Sequence, residues 1–297
     1  MEIFKGENLL EFTSRFDSDE SCKIYLAGIK WENGFVCTKC GHDKSQIRKD
    51  YSRTCNKCSH TESPTAGTLF HKVKFGLKKA FHIAFELCAC TRGISSSQLA
   101  KRYGISYCTA WLFAHKVRLG MKSSCSMPME GRVHVDEFVM GGKEEGKQGR
   151  SYDTKKKKVV CAVELTKEDK VKRIYALVVP DYSSKSLRTI FDKHISKQAQ
   201  VTTDEWKGYK PIKKDYAIEQ IPSNSGQNFK AMHTMIHQIK GTVRAIHSYI
   251  AKGHTDSYLA EHCFRVNRSI FKETIFHSLV SRMVMANPSS YQKIYVL

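Results

Sequence analysis

Two Cys-x-x-Cys pairs near the start constrain this chain more than any other feature. Cys37 and Cys40 form the first pair and Cys55 and Cys58 the second, with fourteen residues between them. Each pair can turn tightly around one ion, and the spacer is long enough for a small hairpin. Four thiolates at about 2.3 Å in a tetrahedron make a structural Zn2+ site. Gly41 after the first pair and Ser59–His60 after the second suit the turns. Free core cysteines or a redox pair are the competing readings, and this double spacing disfavours both. His42 and His60 stand next to the thiols but are unnecessary as ligands with four sulfurs present. The other cysteines (22, 88, 90, 108, 125, 161 and 263) show no such pairing and read as small buried hydrophobes. A ribbon over residues 30–65 buries too little core to stand without its metal.

The charge balance sets the class of partner. Among 297 residues, 49 are Lys or Arg and 29 are Asp or Glu, a formal +20. Nucleic acid is the expected polyanion, because each cation set against a phosphate releases counterions. The surplus is smallest over residues 131–205. With 41% hydrophobic and 26% charged residues the composition is globular. No apolar run approaches the roughly 20 residues of a membrane span. The start, MEIFKGENLLEF, lacks a signal-peptide layout. A cytoplasmic, nucleoid-associated protein without a disulfide framework is therefore expected.

A helical segment follows the ribbon. Residues 75–92 carry apolar side chains at helical spacing without proline. The stretch GISSSQLAKRYGISYCTAW then offers serine caps, a helix, Gly104 as a break, and Ser106 as the cap of a second helix. This predicts a helix-turn-helix, whose second helix enters the major groove. Ser106, Tyr107, Thr109 and Ala110 would be presented early on that helix, with His115, Lys116 and Arg118 later. Gln98, Lys101 and Arg102 would face the DNA backbone. A plain structural hairpin is the competing reading. Residues 123–130 read as a linker.

Beyond the linker, residues 132–142 alternate as a strand carrying Asp136 and Glu137 and end at Gly141–Gly142. Two more strands (155–165 and 172–181), a helix (184–196) and a short strand ending at Asp204–Glu205 follow. That order predicts an α/β, RNase H-like layout, with one acid within the first strand and one at the end of the fourth. Carboxylates brought together from separate strands suit paired Mg2+ ions acting on a phosphodiester. Residues 143–158 read as a basic loop near DNA backbone or as a solvated hairpin. Trp206 reads as packing more than base stacking, with a role in positioning a splayed end nucleotide left open by its place beside Asp204, and His233 and His247 read as candidate phosphate contacts.

Several stretches carry a resemblance. WENGFVCTKCGH, TAGTLFHKVK, the helix pair, VDEFVMGGKEEGKQGR, TDEWKGY, HTMIHQIKGTVRAIH and LAEHCFRVNRS run in order from about residue 9 to 270. Together they resemble the zinc-ribbon insertion-sequence transposases of the ISXO-like group, within the DDE superfamily. The resemblance implies Asp136 and Asp204 as the first two catalytic acids. It places the third catalytic position at His237, thirty-three residues after Asp204, where the family carries Glu or Asn, and a basic residue seven further on at Arg244. His237 could ligate the second ion, hydrogen-bond a phosphate or water, or leave the missing oxygen to a neighbour such as Glu261. Imidazole suits Mn2+ at least as well as Mg2+. Arg265, Asn267 and Arg268 would serve packing or the DNA backbone.

The expected organisation is an N-terminal helix and zinc ribbon (1–65), a helix-turn-helix domain (66–125) and an RNase H-like catalytic domain (126–297). The expected function is that of a DNA transposase. It would bind terminal inverted repeats, cleave the element ends and join 3′-hydroxyls to target DNA, as a homodimer or larger oligomer on double-stranded DNA. A DNA-binding regulator with an inert nuclease-like half is the alternative. A nuclease acting on RNA–DNA hybrid would leave the two upstream modules without a role.

Overall fold

The computed structural model describes residues 2–141, 156–247, 250 and 252–295. The chain divides into two compact units, Met1–Met121 with Arg268–Leu297, and Lys122–Asn267.

Elements are numbered along the chain. The first unit opens with helices α1 (Leu9–Arg15) and α2 (Asp19–Lys30). A small antiparallel sheet follows, of β1 (Ser45–Ile47), β2 (Arg53–Cys55) and β3 (Thr61–Glu62). Then come α3 (Leu77–Ala89), α4 (Ser96–Tyr103) and α5 (Tyr107–Met121). The Ser95 hydroxyl accepts from Gln98 N–H while Gln98 reaches back to the Ser95 backbone, a reciprocal cap on α4. Gly104, at φ +58°, takes the left-handed conformation that ends the helix. The Ser106 hydroxyl then accepts from Thr109 N–H at 3.2 Å and starts α5.

Residues 268–297 were expected to extend the catalytic half. In the structure they contribute α9 (Ile275–Met285) and α10 (Tyr291–Tyr295) to the first unit. The reason is aromatic packing. Phe276 meets Phe4, Phe12, Phe16 and Phe81 with ring centroids 4.8–6.0 Å apart. Gly120 of α5 leaves room for Met283, whose side chain a Cβ there would meet at 2.6 Å.

The second unit is a five-stranded sheet. It contains β4 (Arg132–Met140), β5 (Lys157–Leu165), β6 (Val171–Val179), β7 (Gln200–Thr203) and β8 (Ile218–Gln220), in the order β6-β5-β4-β7-β8. Strand β5 is antiparallel to β4 and β6, whereas β4, β7 and β8 run parallel. Alternation along β4 sends Val133 and Val135 to one face, where α6 (Ser184–His194) packs through Leu187, Ile190 and Phe191. Phe138 and Met140 point to the other, against α7 (Lys230–Ile246) and α8 (Thr255–Asn267) through Met232, Ile236, Leu259 and Cys263. The Asn267 amide spans Ile174, accepting from its N–H at 2.7 Å and donating to its carbonyl at 2.9 Å. Gly142 and most of the expected basic loop, residues 143–155, lie outside the described residues. No helix among the described residues is long and apolar enough to cross a membrane.

Candidate metal centres and active site

The ribbon brings the four thiols of Cys37, Cys40, Cys55 and Cys58 within 4.8 Å of one another. Cys37 and Cys58 sulfurs lie 3.6 Å apart, as do those of Cys40 and Cys55. A tetrahedron with Zn–S of about 2.3 Å has edges of about 3.8 Å, so the donor set fits zinc. Two matching turns build it. Cys37 N–H donates to His42 and Gly41 N–H to Cys37; in the second, Cys55 N–H donates to His60 and Ser59 N–H to Cys55. Gly41 and Ser59 both take positive φ, +72° and +57°. Burial opposes ionisation of Cys55, but the N–H groups of Cys58 and Lys57 help bring its thiol down to about 7. The core beneath is small: Trp31, Phe35, Cys37 and Cys55 are buried, and the partly buried Ala27 and Cys58 pack against them.

The α4–α5 pair sorts the expected DNA contacts. Lys101 is exposed, and Tyr107 keeps 55% of its surface open. Arg102 is largely exposed although its guanidinium donates to Glu86 at 2.8 Å. Gln98 and Ser106 spend their side chains on the caps, and Thr109 bonds Ser106 at 2.9 Å. Lys116 is half-buried beside a cavity of about 310 Å³ and donates to the His71 carbonyl at 3.3 Å. Burial holds its ammonium below the usual lysine range. Ala110, His115 and Arg118 were expected on the exposed face; at 0%, 2% and 1% exposure they are core residues. Residues 110–121 of α5 pack on nearly every side, which the sequence pattern did not separate into faces.

In the second unit the acids converge. Strand β7 pairs with β4 only as far as Val135↔Thr203, so the next residues, Asp136 and Asp204, sit where the two parallel strands part. Oxygens of Asp136, Glu137 and Asp204 lie within 4.8 Å of one another. The Asp136 carboxylate accepts from Glu137 N–H at 2.8 Å, and that of Asp204 from Trp206 N–H at 3.0 Å. The Asp204 carbonyl accepts from Thr203 Oγ1 and Gln220 Nε2. Trp206 itself packs, its indole donating to the Tyr182 carbonyl at 3.1 Å. Glu137, which the sequence reading left without a role, is buried and accepts from the Tyr209 hydroxyl at 2.7 Å. Three carboxylate oxygens are the donor chemistry of a hard divalent cation.

Helix α7 brings nitrogen to the acids. His233 Nε2 stands 3.9 Å from Asp136 Oδ2. Burial first, then the nearby His237 and Lys240, lower the affinity of His233 for a proton. His237 lies one turn along the same helix, exposed, and outside the three-carboxylate cluster. Lys240 lies over the Phe138 ring at 5.2 Å, and burial lowers its pKa, with Arg244 adding to the shift and Asp136 opposing it. Arg244 is exposed. Glu261 is buried and paired with Arg265, apart from the carboxylate cluster. The His247 ring lies against Tyr258 at a tilt of 31°, with centroids 3.8 Å apart.

Family comparison adds to this geometry. Residues 128–267, nearly the whole second unit, match the ISXO2-like transposase domain, and residues 17–61 match the transposase zinc-ribbon domain. No curated protein matches the chain. The thiol cluster lies inside the second match and the three carboxylates inside the first. With both domains in one polypeptide, the chain belongs to the zinc-ribbon insertion-sequence transposases of the ISXO2-like family.

Proposed function

We propose that the protein is a DNA transposase that cuts the ends of its own insertion sequence and joins them to target DNA. The observation that carries this reading is the meeting of Asp136 and Asp204 at the point where two parallel strands separate, inside a transposase domain. The sheet order β6-β5-β4-β7-β8, with the second strand antiparallel and the last two parallel to the first, supports an RNase H-like scaffold. The capped α4–α5 pair with its left-handed Gly104 supports a helix-turn-helix reading for the element ends. The ribbon adds a second basic module: Trp31 lies under both Lys30 and Arg53, at 5.1 and 5.0 Å.

Asp136 and Asp204, with Glu137 beside them, would hold Mg2+ or Mn2+. Such cations, when bound, neutralise phosphate charge and make an oxygen nucleophile available near neutral pH. The protein's own part is placement. Water attacks phosphorus at the element end, the bond from phosphorus to O3′ breaks, and the departing O3′ takes a proton to become the terminal hydroxyl. That hydroxyl then attacks a target phosphodiester, gives up its proton, and displaces the target O3′, so one phosphodiester forms as one breaks. His233, at Asp136, is placed to orient the phosphate or the attacking oxygen. His237 follows one turn later on the same helical stripe, with the part-buried Lys240 and the exposed Arg244 extending it along the DNA strand. Two ends must be engaged together, so the working form is a dimer or larger assembly on DNA.

The test is metal-dependent nicking of duplexes carrying the element's terminal repeats. The wild-type chain nicks at the element boundary in Mg2+ or Mn2+, and Asp136→Asn binds the same duplex without cutting it. Binding without any metal-dependent cleavage by the wild type would refute the enzyme reading in favour of a DNA-binding regulator.

A further inference from the structure

We propose that Tyr209, acting through Glu137, is a positioning residue that locks the two acid-bearing segments together and presents Glu137 as a third oxygen donor to the catalytic cation. This deepens the transposase reading and rests on it. Asp136 and Glu137 lie on β4 just beyond the last residue paired with β7. On the other side the chain leaves β7 at Thr203, passes Asp204, and enters a 3₁₀ helix over Lys207–Lys214. Tyr209 is in its first turn. Its ring is fully buried against Phe191, with centroids 6.3 Å apart, and its hydroxyl donates to Glu137 Oε2 at 2.7 Å. The hydrogen bond therefore ties the residue next to Asp136 to the segment that follows Asp204.

That segment is braced along its length. Trp206 N–H holds the Asp204 carboxylate, Gln220 holds the Asp204 and Trp206 carbonyls at 3.0 Å, and Ser184 donates to the Gly208 carbonyl at 2.6 Å. Gly208 admits the Trp206 indole, which a Cβ there would meet at 2.6 Å. Strand alternation sends Asp136 toward the α7 face and Glu137 toward the α6 face. The Glu137 carboxylate still comes within 4.8 Å of both aspartates, at the point where the β4–β7 pairing ends. A buried carboxylate with one oxygen held by a phenol has its orientation fixed. Partners of this kind, one shell out from a metal ligand, set metal affinity by about 10–100-fold.

The test is Mn2+ binding to the full zinc-loaded chain, read by electron paramagnetic resonance, beside the Mn2+ dependence of nicking. Tyr209→Phe keeps the ring and removes the brace. Its Mn2+ Kd is expected to rise about tenfold. The Mn2+ concentration for half-maximal nicking should shift by the same factor, with nicking at saturating Mn2+ largely recovered and duplex binding by the zinc-loaded chain without added Mn2+ unchanged. Glu137→Gln keeps a hydrogen-bond acceptor for Tyr209 but removes the anion, and should weaken Mn2+ at least as much. It carries the test alone if Tyr209→Phe does not fold. Wild-type Mn2+ affinity in Tyr209→Phe, or in Glu137→Gln, overturns the proposal. If that happens while Asp136→Asn abolishes Mn2+ binding, the brace fails and the transposase reading stands. If Asp136→Asn also binds Mn2+ normally, the two fall together.

Discussion

The thiol cluster of the ribbon and the carboxylate cluster of the sheet each gather their donor atoms within 4.8 Å of one another, yet they are built in opposite ways. The four cysteines sit on two local turns within twenty-two residues, over a core of four buried side chains. The carboxylates come from strands whose acids are sixty-eight residues apart, in a sheet packed on both faces. In the ribbon the metal substitutes for a hydrophobic core. In the sheet, apolar cores on both faces hold the acid-bearing segments and keep like charges close together. One cluster should thus depend on its ion for structure and the other only for chemistry.

Zinc removal should give the largest effect and tests that contrast directly. Structural zinc contributes about 10–16 kcal/mol of apparent binding energy in ribbon-sized modules. Chelation, or Cys55→Ser, should erase amide-exchange protection across residues 37–62 while β4, β5 and β6 keep theirs. Equal loss in the central sheet would show that the two clusters are not independent in stability. The reverse manipulation, Asp204→Asn, should cut nicking by more than about a hundredfold and leave the thermal midpoint unchanged or raised, since it relieves repulsion among three carboxylates.

The difference in construction also explains what the sequence could reveal. Local turns write their ligands at fixed spacing, so the cysteines were legible one by one. Asp136 and Asp204 were legible as strand positions because β4 alternates and β7 stops at a Thr-Asp-Glu. Glu137 was not, since alternation alone puts it on the face opposite Asp136; its role depends on where the neighbouring strand ends. The choice between His233 and His237 was also beyond the sequence. They are four residues apart on one helical stripe, and only the docking of α7 shows which meets Asp136. Residues 268–297 carry no motif that assigns them to either unit; Phe276 finds its aromatic partners only in the fold.

The two histidines give the next comparison. The resemblance places the third catalytic position at His237, whereas the 3.9 Å contact brings His233 to Asp136. His233→Ala should lower nicking by about 10²-fold or more, as for loss of a positioned proton-transfer or hydrogen-bonding group. His237→Ala should act mainly on strand transfer, where a second DNA strand must be gripped. A variant series in which only His237 affects nicking would reassign the third position to it.

Stability should respond to pH through the second unit. Burial pulls His194, stacked on Tyr175 at 4.0 Å, and His262 down to about 4. In the unfolded chain each titrates near 6.5. As pH falls from 6.5 toward 4 the unfolded state binds these protons first, so stability declines across that window and is fully present above it. Melting curves at pH 7, 5.5 and 4.5 should show the decline, and His194→Gln should flatten it. An unchanged slope in that variant would place the acid sensitivity elsewhere.

The smallest effects separate the two lysines of the α4–α5 pair. Lys101 is exposed, so Lys101→Ala should weaken DNA binding evenly across sequences and reduce the salt slope by about 1, as expected for one lost phosphate contact. Lys116 is held by the His71 carbonyl and half-buried, so its ammonium is poorly placed to meet phosphate. Lys116→Met should leave the slope unchanged and shift stability by no more than about 1 kcal/mol, because one hydrogen bond is lost and a partly desolvated charge is removed. If the slope falls by the same amount in both variants, α5 turns toward DNA at its middle rather than at its first turn.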